Sequence, residues 1–182
     1  MLIYIFIVCI TLFLLLTLCV KGIISFVKKK PFPRRLLIAT LSGVILVSSI
    51  YIYEAYFFTF DEIDKKFMQK GPGPVTSPTN AYTADAYYEL YGGAAGGVNV
   101  WVEVTYNNEA DKVQIAYFGD AKSTFNMEWL NEDTLKIQNY DTDYPDSDRS
   151  ITLRIGKDIY HESGLACQSI LMKDDYENCY QN

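Results

Sequence analysis

The stretch Tyr88–Val104, YELYGGAAGGVNVWVEV, decides the fold of the larger part of this chain. After the glycines, valines occupy every second position, which is the pattern of a strand with one buried face. The same alternation runs backwards from the glycines to Tyr82. Glycine adopts the positive φ angles that hairpin loops require. The stretch therefore predicts two antiparallel strands joined by a glycine loop, which is either packed against the domain or presented to a partner.

Two phosphate-binding motifs share features with this glycine loop, but neither fits it. Gly92 and Gly97 have the spacing of a Walker-type loop, but Val98 stands where that motif needs a lysine. A dinucleotide-binding loop opens a helix, whereas a valine-rich strand follows here. The glycines are therefore interpreted as a turn, and no cofactor is expected.

Further runs with period-two alternation predict additional short strands. They lie at 113–117, 125–129, 135–137 and 151–155. Turn-forming Asn, Asp, Gly and Pro residues separate them, as in consecutive antiparallel hairpins. We expect a small all-β domain over 79–182, built as an antiparallel meander with a sandwich-like or blade-like sheet. Its last part, 159–182, can form a further hairpin or a short helix.

Two apolar segments lie in residues 1–60, before the β domain. Residues 2–20 contain no charged side chain, and residues 36–58 contain one, Glu54. A helix the length of the first segment spans about 28 Å, which is close to the hydrocarbon thickness of a bilayer. The first segment lacks the basic start and the small-residue cleavage site of a signal peptide. We therefore expect a transmembrane helical hairpin, with a cleaved or single-span segment as the alternative.

Basic residues concentrate in the loop 21–35 between these two segments. They are Lys21, Lys28, Lys29, Lys30, Arg34 and Arg35. Short loops rich in Lys and Arg stay in the cytoplasm. We therefore expect a protein of the cell membrane with two helices in the lipid bilayer and its C-terminal β domain outside the cytoplasm. Residues 61–78 are rich in Pro and Gly and are expected to form a neck or linker.

Acidic residues dominate the rest of the chain. All acidic residues except Glu54 follow position 60, and the whole chain has a formal net charge of −6. Proteins that bind nucleic acid present a basic patch to the phosphate backbone. We therefore expect no nucleic-acid partner.

Four of these carboxylates lie close together in the run YDTDYPDSDRS. They belong to Asp141, Asp143, Asp146 and Asp148. Clustered carboxylates suit calcium, which takes six to eight oxygen ligands. The run does not follow the EF-hand pattern, because Pro145 and no glycine stands in its centre. It is a weak calcium candidate, with a solvated loop as the alternative, and no other metal site is expected.

Two cysteines, Cys167 and Cys179, fall in the expected outer domain. Cysteine pairs outside the cytoplasm can stay oxidised, so a disulfide is expected here. Free thiols are the alternative. Catalytic use of a thiol would need a base, and His161 is the one histidine of the chain.

Four aromatic residues fall on the less apolar face of the predicted strands. They are Tyr87, Tyr91, Trp101 and Phe118. Aromatic rings interleaved with polar side chains can form a platform that binds a sugar or a peptide strand. The same rings can instead be covered by the C-terminal tail.

The order of the segments resembles a known family. After two helices and a neck come AYYELYGGAAGGVNVWVEV, MEWLNEDTLKI, SDRSITL and IYHESGLACQSILMKDDYENCY. This order is similar to that of an uncharacterised Bacillus-type family of small membrane-anchored proteins with a domain of unknown function. The resemblance covers most of 77–182, and its distinctive parts are the glycine loop and the two-cysteine tail. It implies a Gram-positive membrane setting and supplies no activity, ligand or catalytic residue.

The sequence as a whole predicts a non-enzymatic binding protein. We expect a membrane-anchored β domain that binds a partner protein of the membrane or an envelope component, with a homo-oligomer as one option. A ligand-sensing or inhibitory module that signals through the helices is the first alternative. An envelope enzyme is disfavoured, because the outer part has one histidine, no nucleophile elbow and no metal-ligand spacing. No catalytic residue is predicted.

Overall fold

The computed structural model describes residues 2–63, 65–109 and 112–182. The chain forms two compact units, Met1–Ala55 and Tyr56–Asn182. The first is helical and the second consists mostly of β strands, which confirms the predicted fold class.

The first unit is a pair of long apolar helices, α1 (Leu2–Val27) and α2 (Arg34–Tyr56). Both are long and apolar enough to cross a membrane by length and composition. Their bounds differ from the prediction, since α1 ends at residue 27 rather than near 20, and α2 covers 34–56 rather than 36–58. Charged residues such as Lys21 are good helix formers and do not end a helix. The break comes instead at Pro31 and Pro33, which cannot continue α1 and which suit the start of α2.

The second unit contains two sheets. Its strands are β1 (Gln69–Lys70), β2 (Val75–Thr76), β3 (Tyr82–Tyr91), β4 (Gly97–Tyr106), β5 (Lys112–Asp120), β6 (Thr124–Trp129), β7 (Thr134–Tyr140), β8 (Ile151–Arg154), β9 (Asp158–His161) and β10 (Asn178–Tyr180). The larger sheet has the order β1-β3-β4-β5-β9-β10, with β2 also paired to β3, and the smaller sheet has the order β6-β7-β8. One short helix, α3 (Leu165–Gln168), follows β9.

The hairpin of β3 and β4 is the longest pairing in the larger sheet, and its register runs from Tyr82↔Tyr106 to Tyr91↔Gly97. Gly92 and Gly93 have φ angles of 75° and 66°, as the predicted turn requires. The described residues of the loop are exposed, and a Cβ on Gly93 would meet no atom within 4 Å. The loop is therefore presented rather than packed.

The main core lies between the two sheets, which makes the unit a sandwich. Alternate residues of β4, such as Val100 and Val104, are fully buried against Leu135 and Ile137 of β7 and Leu153 of β8. Burying each aliphatic side chain of this size contributes about 1.5–3 kcal/mol. The inward face is the one that the alternation in the sequence predicted.

The segment 61–78 differs from the predicted neck, because much of it belongs to the sheet. Gln69 of β1 pairs with Tyr88, and Val75 of β2 pairs with Ala84. Between these strands, the Gly71 N–H donates to the Ala86 carbonyl at 2.8 Å. An edge strand presents unpaired N–H and C=O groups, and this Pro- and Gly-rich segment satisfies those of β3.

The tail after β8 adds two parallel strands. Tyr117 of β5 pairs with Tyr160 of β9, and β10 then pairs with β9 in parallel. This differs from the predicted hairpin, whereas the short helix α3 was one of the two options. The disulfide between Cys167 of α3 and Cys179 of β10 is present, with the two Cα atoms 5.3 Å apart, and this prediction is confirmed.

Candidate binding cleft

The predicted aromatic platform is covered by the tail rather than open to a ligand. Trp101 is completely buried, and its ring stacks on that of Tyr87 with centroids 5.8 Å apart. It belongs to a second core whose other buried members are Phe60, Ile115, Ile159, Ala166 and Met172. An indole of this size exposed on a sheet face would leave a large apolar area in water, so the tail packs over it.

The other two members of the platform have different surroundings. Phe118 packs against the second core. Tyr91, at the end of β3, is exposed, and its hydroxyl donates to Asp120 at 3.2 Å. The four aromatic side chains therefore do not form one open surface, and the alternative of coverage by the tail holds for Tyr87, Trp101 and Phe118.

A ring of phenylalanines encloses His161 in this second core. The centroid of its imidazole lies 4.9 Å from that of Phe58, 5.9 Å from that of Phe60 and 5.0 Å from that of Phe118. Ser163 Oγ lies 3.2 Å from Nδ1, while Nε2 has no hydrogen-bond partner among the described residues. Burial lowers the pKa of His161 to about 4, so the ring is neutral at physiological pH.

This environment removes the one candidate base from catalytic use. A general base must reach its substrate, and the His161 ring is buried. The two thiols that such a base would activate are joined in the disulfide of Cys167 and Cys179. The only histidine is therefore a packing residue in this structure.

A half-open cleft of about 780 Å³ lies beside the second core. Four parts of the chain line it: Thr59, Phe60, Asp61 and Lys65 after α2, the hairpin end of β4 and β5, Gly156 in the turn between β8 and β9, and Leu171, Met172, Asp174 and Asp175 of the tail. Ile115 and Met172 are shared with the second core and give the cleft an apolar floor. The cleft therefore combines a buried apolar base with a polar, exposed rim.

The two lysines of the rim already have partners. Lys65 Nζ lies 2.5 Å from Glu103 Oε1, which also accepts a hydrogen bond from the Trp101 indole. Lys112 Nζ lies 4.8 Å from the centroid of the Tyr106 ring and 3.7 Å from a Glu109 carboxylate oxygen. Both positive charges are therefore largely offset by neighbouring groups.

The acidic side of the rim is not balanced in the same way. Asp61, Asp174 and Asp175 line the cleft and are exposed. Within the described parts of the chain, none of these three carboxylates forms an ion pair. The cleft thus carries negative charge that a cationic group of a partner could neutralise.

Hydrogen bonds fix the tail against the hairpin at the base of the cleft. The Tyr106 hydroxyl donates to Gln114 Oε1 at 2.6 Å, and Gln114 Nε2 donates to the Asp175 carbonyl at 3.3 Å. Burial raises the pKa of Tyr106 to about 12, so its hydroxyl keeps its proton and can donate. These two hydrogen bonds fix the position of Asp175 relative to β4 and β5.

The loop that carried the weak calcium candidate is organised by its own backbone. Asp141 accepts a hydrogen bond from the Asp143 N–H at 2.9 Å, and Asp148 accepts one from the Ser150 N–H at 2.8 Å. Hydrogen bonds from Ser150 hold the pKa of Asp148 below its usual range. Across the described residues, Asp146 included, no three His, Cys, Asp or Glu side chains are grouped as a metal site needs. The carboxylates of Asp141 and Asp148 therefore serve as hydrogen-bond acceptors within the loop.

The basic residues lie in one region of the helical unit. Lys21 is near the end of α1, the cluster 28–30 follows it, and Arg34 and Arg35 open α2. Three of the six therefore lie in the connection between the helices, and Lys21, Arg34 and Arg35 lie in the adjoining helix ends rather than in a single loop over 21–35.

Sequence reasoning did not identify the cleft. Asp61 and Lys65 fell in a segment that was interpreted as a neck, and Asp174 and Asp175 fell in a tail without a clear periodicity. The one available signal was the number of acidic residues in short surface segments, and that signal is common on solvated surfaces.

Comparison with known proteins gives a family and no activity. Residues 30–148 match the model of DUF5412, a family of unknown function. This range includes α2 and the glycine loop, whereas the two-cysteine tail and its wall of the cleft lie beyond it. Neither the curated proteins nor the solved structures contain a match. Because the match covers more than half of its length, this chain belongs to DUF5412, a family of unknown function.

Proposed function

We propose that this protein is a membrane-anchored, non-enzymatic binding module. Its β domain lies outside the cytoplasm and uses the cleft to hold a basic segment of a membrane or envelope partner. The observation that carries this proposal is the cleft of about 780 Å³, with its apolar floor and three carboxylates that form no ion pair with any described residue. A segment with an apolar residue beside Lys or Arg would fill the floor and neutralise the rim.

The carboxyl groups favour binding over catalysis. A general acid needs a pKa raised toward neutrality. The pKa of Asp148 is lowered by hydrogen bonds from Ser150, and at Asp158 burial raises the pKa but is outweighed by hydrogen bonds from Arg154 and Asn178, which lower it. Asp158 is held by Arg154 at 3.1 Å, away from the cleft lining. Neither of these two carboxyl groups therefore has the raised pKa of a general acid.

The membrane topology in this proposal rests on the basic loop. Six Lys and Arg residues flank the connection between α1 and α2, and such loops are retained in the cytoplasm. Alkaline phosphatase fused after Asn182 should be active, because it folds only outside the cytoplasm. Activity of β-galactosidase but not of phosphatase at the same position would contradict the topology.

The position of the cleft favours a partner at the membrane. Thr59, Phe60 and Asp61 line it and follow the last residue of α2 by only a few positions. Because Thr59 is only three residues from the end of α2, a partner that contacts it must lie near the expected bilayer surface. A membrane protein, or an envelope component that lies close to the membrane, meets this condition.

Site-specific photocross-linking in cells tests the proposal. Val113 lines the cleft and is 51% exposed, whereas Leu130, in the turn after β6, is 53% exposed and does not line it. A photoreactive amino acid at 113 should give an adduct of defined mass that the same group at 130 does not give. An adduct at twice the mass of the chain would identify a homo-oligomer.

Charge reversal provides the second half of this test. Asp174→Lys with Asp175→Lys should reduce the adduct at 113, because the cleft then repels a basic segment. The matched control is Asp141→Lys with Asp143→Lys, which changes the net charge equally in a distant loop. Equal loss of the adduct in both double variants would show that the cleft charges have no specific role.

A sensing module is the second candidate, and one observation favours it. Ser169 of the tail donates to the Phe58 carbonyl at 2.6 Å, and Phe58 and Phe60 pack into the second core. A ligand that displaced the tail would therefore change the contacts of residues that directly follow α2. Hydrogen exchange at 57–60 should change on partner binding for a sensor and stay constant for a simple binding module.

A further inference from the structure

Two neighbouring aliphatic side chains in the tail project into solvent. Ile170 is 53% exposed and Leu171 is 56% exposed, although the residues on either side, Ser169 and Met172, are buried. Aliphatic side chains of this size stabilise a protein when they leave water. A pair of them at the tip of a turn therefore suggests an apolar surface that they meet outside this domain.

Hydrogen bonds hold this turn against the first residues after the expected span. The Ile170 N–H donates to the Tyr56 carbonyl at 2.9 Å, and Ser169 Oγ donates to the Phe58 carbonyl at 2.6 Å. The Leu171 N–H donates in turn to Ser169 Oγ at 3.2 Å. The backbone of the turn is thus tied to the point where α2 ends.

The neighbouring covalent and packing contacts prevent the turn from folding inward. Met172 is anchored in the second core, and Cys167 is bonded to Cys179. With both sides of the turn held in this way, the two side chains stay exposed. Their exposure is therefore a consequence of the fold itself.

The residues to which the turn is tied indicate what covers it. Tyr56 and Phe57 are exposed aromatic residues at the end of an apolar helix. Tyrosine and other aromatic rings at such positions lie in the interfacial layer of a bilayer. Ile170 and Leu171 are distant from these aromatic residues in the sequence. Hydrogen bonds to the Tyr56 and Phe58 carbonyls nevertheless hold their turn beside the end of α2.

We propose that the turn of Ile170 and Leu171 inserts into the interfacial layer of the bilayer, as a third membrane contact beside α1 and α2. This inference rests on the membrane anchoring in the proposed function. Leu171 also lines the cleft, whereas Ile170 does not, so the test uses position 170. The insertion gives the β domain a membrane contact of its own.

Depth-dependent fluorescence quenching tests this contact in the full chain. In a Cys9→Ala, Cys19→Ala background, Ile170→Cys is labelled with an NBD fluorophore and reconstituted in vesicles of phosphatidylglycerol and phosphatidylcholine. Leu130→Cys is the control, since its side chain is equally exposed. A third sample keeps Cys9 of α1 as the only labelled thiol and reports on the anchor. Alkylation and mass measurement verify that the tail disulfide is intact in each sample.

The outcomes separate the contact from the anchor. Doxyl lipids labelled near the headgroup should quench position 170 several-fold more than position 130, with blue-shifted emission only at 170. Quenching at position 9 with equal, weak quenching at 170 and 130 would overturn this inference and leave the anchor intact. No quenching at position 9 would overturn the anchoring and this inference together. A blue shift at 170 without lipid quenching would assign the turn to a contact with a second copy, which also overturns it.

Discussion

Acid should destabilise the β domain through His161, and this effect can be isolated with one substitution. The pKa of the histidine is about 4 in the folded domain, against an ordinary value of 6.5, because burial among Phe58, Phe60 and Phe118 disfavours its charged form. The unfolded chain therefore binds a proton between these two pH values that the folded domain does not bind. Stability is fully present above pH 6.5 and is lost as the pH falls toward 4.

The size of this loss follows from the shift. Each unit of pKa corresponds to about 1.4 kcal/mol, so that the titration of His161 removes on the order of 3 kcal/mol from the free energy of unfolding. Since the ring contacts three phenyl groups and its Nε2 has no partner among the described residues, phenylalanine fits this environment. His161→Phe should be close to neutral at pH 7 and should remove this part of the pH dependence.

The assay is urea unfolding of the detergent-solubilised chain at a series of pH values, followed by tryptophan emission. Both tryptophans, Trp101 and Trp129, lie in the β domain, so their emission reports on this unit alone. Carboxylates also titrate in this range, but they do so in both proteins, and the difference between wild type and variant isolates the histidine. Parallel curves for the two proteins between pH 4 and 6.5 would refute the buried, neutral His161.

Three further predictions concern stability. Replacing Cys167 and Cys179 by serine should cost about 3 kcal/mol, measured by urea unfolding with and without reductant, and an unchanged midpoint would exclude a stabilising disulfide. Trp101→Ala should cost about 3–5 kcal/mol in the same assay, because it empties the centre of the second core, and a loss below about 1 kcal/mol would show an open platform instead. Gly93→Ala should cost roughly 1 kcal/mol for its positive φ, whereas Gly96→Ala should cost more, because its Cβ would overlap the carbonyl of β3, and thermal melting compares the two.

The strands β3 to β8 could be predicted from the sequence because their pairing is local. Each of them pairs with a neighbour in the chain, and the valines at every second position of β4 mark the face that packs into the main core. Antiparallel hairpins of this kind leave a period-two pattern and turn residues at their ends. The predicted inward positions, such as Val100 and Val104, lie in the main core for this reason.

The parallel strands β9 and β10, and the strands β1 and β2 in the segment 61–78, left no such pattern in the sequence. All four residues of β9 are buried, so its sequence does not alternate, and β10 joins it after a separate helix and loop. The Gly71–Pro74 run reads as a linker, although its backbone completes the edge of β3. The cleft combines residues from four parts of the chain that are distant in the sequence, and no local rule predicts that Asp61 and Asp174 line the same cleft.

The position of β9 in the larger sheet has a consequence for biosynthesis. This strand lies between β5 and β10, and the tail that follows it covers Trp101. The ribosome completes β3, β4 and β5 well before it makes residues 158–180. During this interval the indole face of the sheet stays open, and the emerging chain exposes an aggregation-prone surface. If the domain is exported across the membrane, the chain is still unfolded and competent for secretion during this interval. Late closure by the tail would then keep the domain from folding before it has crossed.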